Sequence, residues 1–406
     1  MSDASPARSA TRPVLGQRAS FWVSAAVVLH TLWTSAAPTV TYPLYAAEWQ
    51  LSTFTTTAIF AVYPIVLVVL LIVLGDLSDY IGRRATILLG LSASLIGVLL
   101  FALAPDVAWI FAGRAFMGTG VALTAGPAAA AMVDFSAPGQ AGRASSIATA
   151  ATAGGLALAT IVGGALIQYA PFPTHLNFWV LAVVIAALLG AAWFLPGHSA
   201  DTAKGRWKPR LPAIPQGLGK IFTVSALAVA TSFGFGALYL SLGAQIARDL
   251  IGSTNALVAG SSFVLFAVVL GTVAILAKGI RAPLNIAFGA VTTIVSLGLL
   301  MLAASQHSLP IYLIATTLGG AGYSLFFLGG LTLISQNAPS THRGASISAV
   351  YLIAYFLQGV TALALGFIAT ATGLQNAIDL GAPALAILAL VTGALALLIG
   401  RGKPAV

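Results

Sequence analysis

Residues 65–90 read IVLVVLLIVLGDLSDYIGRRATILLG. Ten apolar residues run into the charged turn Gly75-Asp-Leu-Ser-Asp79-Tyr-Ile-Gly82-Arg83-Arg84, and apolar residues resume directly after the arginines. A helix crosses a bilayer on about 20 mostly apolar residues, and charges are costly among lipid tails. Two apolar runs split by a charged turn therefore predict a helical hairpin that crosses the membrane twice. The glycines let the chain reverse tightly. Asp79 and Arg83, four apart, share a face of any helical turn there and can pair.

The same pattern extends along the chain. Of 406 residues, 59% are hydrophobic and 7% charged, with a mean hydropathy of +0.99. A soluble domain carries about 25% charged residues, so soluble enzymes and nucleic-acid binders are excluded. Uncharged gaps long enough for one crossing run from Arg18 to Glu48, Glu48 to Asp76, Arg84 to Asp106, and Asp106 to Asp134, the last interrupted only by Arg114. Others run from Lys220 to Arg248, Asp249 to Lys278, Arg343 to Asp379 and Asp379 to Arg401. Two longer gaps, Arg143 to Asp201 and Arg281 to Arg343, each hold a pair hinged at Pro171–His175 and Gln306–Pro310. The expected fold is an all-α membrane protein with twelve transmembrane helices in two six-helix bundles. Residues 1–18 form an arm, 19–195 the first bundle, 196–219 a central loop, 220–400 the second bundle and 401–406 a tail.

Twelve crossings place both termini and the central loop on one face. Of the 18 Lys and Arg residues, all but Arg248 and Arg114 fall on that face, which the positive-inside rule makes cytoplasmic. The net charge of +9 thus reflects topology and calls for no nucleic acid. There is no cysteine, no Walker-type phosphate loop, and no metal-ligand spacing among the five scattered histidines, so no cofactor or metal is expected. The first apolar run lacks a small-residue cleavage site and is expected to stay as a helix.

Repeated six-helix halves are how secondary transporters are built, with a substrate site near the midplane between them. Helix 6 (Phe178–Leu195) has no polar side chain and helix 12 (about Pro383–Gly400) only Thr392, so both are expected to face lipid. Helices 1, 4, 5, 10 and 11 carry the polar residues and are expected to line the route.

The 75–84 turn resembles the G-x-L-x-D-R-x-G-R-R signature of the major facilitator superfamily, with Tyr80 where a basic residue is usual. The resemblance implies that Gly75, Asp79, Gly82, Arg83 and Arg84 form a conformational motif. It also implies that the acid and arginine form a charge relay with an acid at the end of helix 4, a place Asp134 fills by topology. Asp79 would brace the halves against the start of helix 11, near Arg343–Ser346, in the outward-open state. Arg114 with Gly118 and Gly120 resembles the family's R-x-x-Q-G-x-G pattern, with Met117 in place of Gln. Arg114 lies about 12 Å deep at 1.5 Å per residue from Asp106. It either biases a proton site or touches substrate, or it only orients its helix. Gly155, Gly163 and Gly164 in helix 5 resemble an antiporter element in which Ala159-Thr160 replaces Gly-Pro; they serve as that element or as a plain packing face.

In helix 1, His30 lies mid-membrane with Thr34, Pro38 and Thr41 on one face. Its titration near neutrality suits proton coupling, and an interhelical hydrogen bond is the other reading. Helix 11 presents Ser348, Tyr351, Tyr355 and Gln358 at helical spacing, and helix 10 presents Tyr323 and Ser324. These stripes either line a pocket or bind neighbouring helices. Lys278-Gly279-Ile280-Arg281 retains little of a second copy of the loop signature. Tyr42-Pro-Leu-Tyr45 with Trp49, and Phe60-Ala-Val-Tyr63, are similar to the drug-exporter branch.

Together the resemblance implies an alternating-access secondary transporter, not an enzyme, in the plasma or inner (cytoplasmic) membrane. The expected activity is proton-coupled efflux of small molecules by a monomer, with protons and the lipid bilayer as its other partners. Arg114 is the one deep charge and no deep acid accompanies it, so neutral or anionic substrates are expected. The alternative is a proton symporter or facilitator importing a small polar metabolite such as a sugar or carboxylate.

Overall fold

The computed structural model describes residues 13–74, 77–137, 140–197, 217–252, 256–338 and 343–401. Gly75, most of the central loop, the first twelve residues and the tail after Arg401 lie outside the described residues, as do the side chains of Asp79 and Arg343. Among the described residues, twelve long helices follow the hydropathy pattern. The first bundle holds α1 (Gln17–Glu48), α2 (Thr53–Leu74), α3 (Arg83–Ala102), α4 (Val107–Asp134), α5 (Ala141–Tyr169) and α6 (Leu176–Trp193). The second holds α7 (Gly219–Leu250), α8 (Ala256–Leu276), α9 (Ala282–Gln306), α10 (Leu309–Asn337), α11 (Arg343–Thr372) and α12 (Leu374–Arg401). Eleven are long and apolar enough to cross a membrane, and α8 adds the apolar run Ser262–Leu276.

The helix ends follow local chemistry. Asp106 caps α4, accepting hydrogen bonds from the backbone N–H of Ala108 (2.8 Å) and Trp109 (3.4 Å), which satisfies donors a helix start leaves open. Leu77–Ile81 makes one short helical turn inside the α2–α3 loop, and Gly82 adopts φ 87° before α3. That left-handed conformation favours glycine.

The packing repeats with a period of six helices. α1 packs on α4 and α5, α2 on α4, and α3 on α4 and α6; correspondingly α7 packs on α10 and α11, α8 on α10, and α9 on α10 and α12. The halves meet along two equivalent seams, α2 with α11 and α5 with α8. Small residues allow the close approaches that hold helices together when lipid supplies no hydrophobic drive. A Cβ at Gly97 of α3 would stand 2.7 Å from the Gly113 carbonyl oxygen of α4.

Three expectations need correction. α12 starts at Leu374 and carries Pro383 inside it, because the apolar face continues through Asp379, whose carboxylate accepts from Gln375 one turn earlier at 3.0 Å. α6 starts at Leu176 and so includes buried Asn177, whose Nδ2 donates to the Ala37 carbonyl at 3.2 Å. α1 is not one regular rod: it tightens to a 3₁₀ turn at Ala37–Val40, where Pro38 removes a ladder donor, before resuming at Tyr42–Glu48.

Candidate functional site

Hydrogen bonds between the halves gather at the end remote from the α2–α3 loop. Arg248 Nη1, on the π-helical turn Ile246–Leu250 that ends α7, donates to the Pro43 carbonyl at 3.0 Å. Gln245 Nε2 donates to Thr53 Oγ1 at 3.3 Å, and the Phe54 backbone N–H donates to Thr370 Oγ1 at 2.6 Å. Phe54 and Phe367 add an edge-on ring contact with centroids 6.5 Å apart. At the opposite end Arg83 of α3 forms an ion pair with Asp134 of α4. Along α11, Ser348 is exposed, Tyr351 and Tyr355 are half-buried and Gln358 is buried. Along these four positions exposure falls with distance from the loop end.

Deep in the first bundle, Arg114 is fully buried. Its Nη1 donates to the Ser35 carbonyl of α1 (2.9 Å), its Nη2 to the Phe60 carbonyl (3.3 Å) and its Nε to the Ile59 carbonyl (3.4 Å), both of α2. The guanidinium also lies 4.8 Å from the Tyr63 ring centroid and 5.8 Å from that of Phe60. The source of these acceptors is legible in the chain. Pro64 has no N–H, so the Phe60 carbonyl four residues earlier has no ladder partner. Ser35 lies just before the break at Pro38. Two proline breaks therefore supply carbonyls that solvate a cation where water does not reach. The head turns into the bundle, toward α1 and α2, and not out toward lipid.

In the second bundle, three tyrosines expected to line a pocket come together around a residue the sequence reading missed. Phe233 of α7 stands 6.1 Å from Tyr323, 6.2 Å from Tyr351 and 4.8 Å from Tyr355, centroid to centroid, with Phe327 at 6.1 Å. Gln358 follows Tyr355 by one turn, and its Oε1 is buried without a hydrogen-bond partner. The Tyr63 ring covers Arg114, and the helix that carries it, α2, packs against α11 along the seam between the halves. Phe233 was missed because an apolar helix gives it no polar signature. Phe60 and Tyr63 carried only a likeness to the drug-exporter branch, although Pro64 marked the open carbonyl.

Other expected site residues lie apart from this group. His30 is buried inside the first bundle, with Nδ1 2.7 Å from the Val27 carbonyl and Nε2 3.1 Å from Ser94 Oγ of α3. A carbonyl only accepts, so Nδ1 carries the hydrogen and neutral Nε2 accepts from the Ser94 hydroxyl. Thr34 is buried beside the Arg114 cage, its hydroxyl without a partner. Gly155 and Gly163 of α5 face α1: a Cβ at Gly155 would stand 2.1 Å from the Leu29 carbonyl oxygen, and one at Gly163 2.9 Å from Val40 Cγ2. Gly164 is buried in the same turn. α5 runs through Ala159 and Thr160 unbroken, with Thr160 Oγ1 bonded back to Leu156 at 3.1 Å.

The sequence profile of the Major Facilitator Superfamily matches residues 22–290. The puromycin resistance protein pur8 of Streptomyces alboniger is 34% identical over 127 residues, 30% of this chain and 24% of that protein. The multidrug efflux pump LfrA of Mycolicibacterium smegmatis is 31% identical over 169 residues, 41% of this chain and 33% of that protein. The matches therefore span a third or less of those relatives' lengths. Among solved structures, a bacterial homolog to the human lysosomal transporter Spinster, in an inward-facing and unoccupied conformation, superposes with a TM-score of 0.74 at 14% identity. That superposition covers 96% of this chain and 99% of the other.

Proposed function

The chain belongs to the major facilitator superfamily, and on that premise we propose that it is a secondary active transporter. In this reading it works as a monomer by alternating access and exports small neutral or anionic molecules in exchange for protons. It lies in the cytoplasmic membrane, with the α2–α3 loop and both termini facing the cytoplasm. One observation carries the reading: two six-helix halves are latched at one end by Arg248, Gln245 and Thr370, while side-chain exposure along the α11 stripe rises toward the other. Two halves joined across one end fit one limb of an alternating-access cycle. The substrate charge follows from Arg114, a buried cation with carbonyl but no carboxylate contacts. A permanently cationic substrate would meet this field with no counter-charge.

The proton carrier in this reading is His30, the histidine within a span. Its ring takes a proton on Nε2 without losing a contact, because the Ser94 hydroxyl turns from donor to acceptor. His30→Gln keeps hydrogen-bonding capacity but cannot titrate. It is expected to flatten the pH profile of transport while folded protein is recovered normally; a profile unchanged from wild type assigns His30 to structure alone.

The Arg83–Asp134 pair would hold α3 and α4 together as the loop end opens and closes. Each side chain is about one-third exposed, so the pair adds little to stability and its loss reads in turnover. Asp134→Asn is expected to lower turnover about tenfold, equivalent to about 1.4 kcal/mol in the barrier. The charge swap Arg83→Asp/Asp134→Arg should recover part of it, and failure of any rescue would remove the pair from the cycle.

The overall reading is tested with purified protein in liposomes under an imposed pH gradient. Substrate movement against external acid supports exchange with protons. The unbroken α5 favours import instead, and uptake together with protons in the same experiment would establish that alternative.

A further inference from the structure

The five rings in the second bundle form two walls at an angle. Phe233, Tyr323 and Phe327 are nearly parallel, with interplanar angles of 15°, 17° and 27° between pairs. Tyr351 and Tyr355 are parallel to each other within 27°. The second set is turned from the first by 57° (Phe233 to Tyr351), 56° (Phe327 to Tyr351) and 78° (Phe233 to Tyr355). Phe233 is buried at the corner, whereas the other four rings are half-buried. Aromatic rings attract one another offset-stacked or edge-to-face. A corner of this shape offers both geometries at once to a flat ring: its face to one wall and its edge to the other. A saturated molecule of equal size gains only the area term.

Gln358 adds a second requirement. Its Oε1 is buried at the base of the α11 stripe with no donor, and a buried acceptor without a partner is costly. An amide oxygen takes only a hydrogen-bond donor. Arg114 is buried in the first bundle under the Tyr63 ring of α2, the helix that packs against α11. Aromatic corners also attract organic cations, but the buried Arg114, which has carbonyl partners only, adds positive charge to the protein interior that opposes one here.

We propose that this corner is the substrate platform, and that the substrate class is a flat aromatic molecule bearing an N–H or O–H donor, uncharged or anionic. The proposal rests on the transporter reading above and deepens it. It is tested by equilibrium binding to purified protein in detergent, with no gradient and no transport, using four probes. These are 2-naphthol, decahydro-2-naphthol, 2-methoxynaphthalene and a naphthyl-trimethylammonium salt. 2-Naphthol should bind about tenfold tighter than its saturated analogue, from the aromatic geometry, and about tenfold tighter than the methoxy compound, from the donor to Gln358. Tyr355→Leu should erase the first difference and Gln358→Met the second, each leaving the other in place. Equal affinities among the first three probes, tightest binding of the ammonium salt, or no binding of any probe would each overturn it. If a variant does not fold, the four wild-type affinities decide alone. Selective binding without movement across liposomes would sink the transport reading and leave the platform standing; transport of an unrelated solute with no aromatic discrimination would do the reverse.

Discussion

Arg114→Lys is expected to cut transport at least about a hundredfold, or about 2.7 kcal/mol in the barrier, although charge and apolar stem are both kept. The reason is geometric. The guanidinium presents a planar fork whose nitrogens meet carbonyls on two different helices, Ser35 of α1 and Ile59 and Phe60 of α2. A lysine ammonium is a point charge at the end of a flexible stem and cannot span those acceptors together. A buried charge that loses its partners costs about 3–5 kcal/mol, so α1, α2 and α4 would separate or repack. Arg114→Met should be better tolerated as a fold than Lys, since it removes the charge, yet equally inactive if the cation acts on substrate. Pro64→Ala returns the Phe60 carbonyl to the helical ladder and should reproduce part of the loss without touching the arginine. Near-normal turnover in Arg114→Lys would remove the cage from the account.

The second large effect is expected at Gly366, where α11 crosses α2 near the latched end. A Cβ there would stand 2.7 Å from Thr57 Cβ and 2.9 Å from its Cγ2. Rotating the Thr57 side chain cannot move its Cβ, so Gly366→Leu must push the helices apart. Overpacking of this kind costs about 1–3 kcal/mol, and here the cost falls selectively on the state in which the two halves touch at this end. The latch made by Arg248, Gln245 and Thr370 would then be stretched. A conformational equilibrium shifted by that amount changes the ratio of the two states about 5- to 160-fold. A single cysteine placed near Ala46 should become far more reactive to a membrane-impermeant thiol reagent in Gly366→Leu than in the parent, a clean assay because the chain has no native cysteine. Unchanged reactivity would mean that this crossing does not control closure.

Much of this architecture is legible from charge alone, because a bilayer leaves so few solutions: gaps between charges count the helices, and the six-plus-six division follows from the central polar stretch. Motif and topology single out Arg83 and Asp134, and the two side chains form an ion pair. Tyr323, Tyr351 and Tyr355 stand out by polarity at helical spacing, and their rings lie around Phe233. What escaped depends on distances between helices that no single stretch encodes. Phe233 looks like any other lipid-soluble residue until α10 and α11 are folded around it. The carbonyls that hold Arg114 are backbone atoms, invisible to residue type, and only Pro64 and Pro38 hint at them. His30 and Thr34 share a face of the regular helix Gln17–Ala36, but the partner of His30, Ser94 of α3, is set by how two helices pack and not by any one stretch. The charge of Asp379 bounds helix 12 in sequence, whereas the folded helix starts at Leu374 and runs through both Asp379 and Pro383.

The most direct test joins the two halves at the latched end. With Thr53 and Gln245, which touch at 3.3 Å, replaced by cysteines, a short reducible bis-maleimide can hold that end closed in protein reconstituted into liposomes. Rocking halves predict that transport stops on cross-linking and returns in full when the linker is cleaved. Undiminished transport through the cross-linked protein would contradict the account.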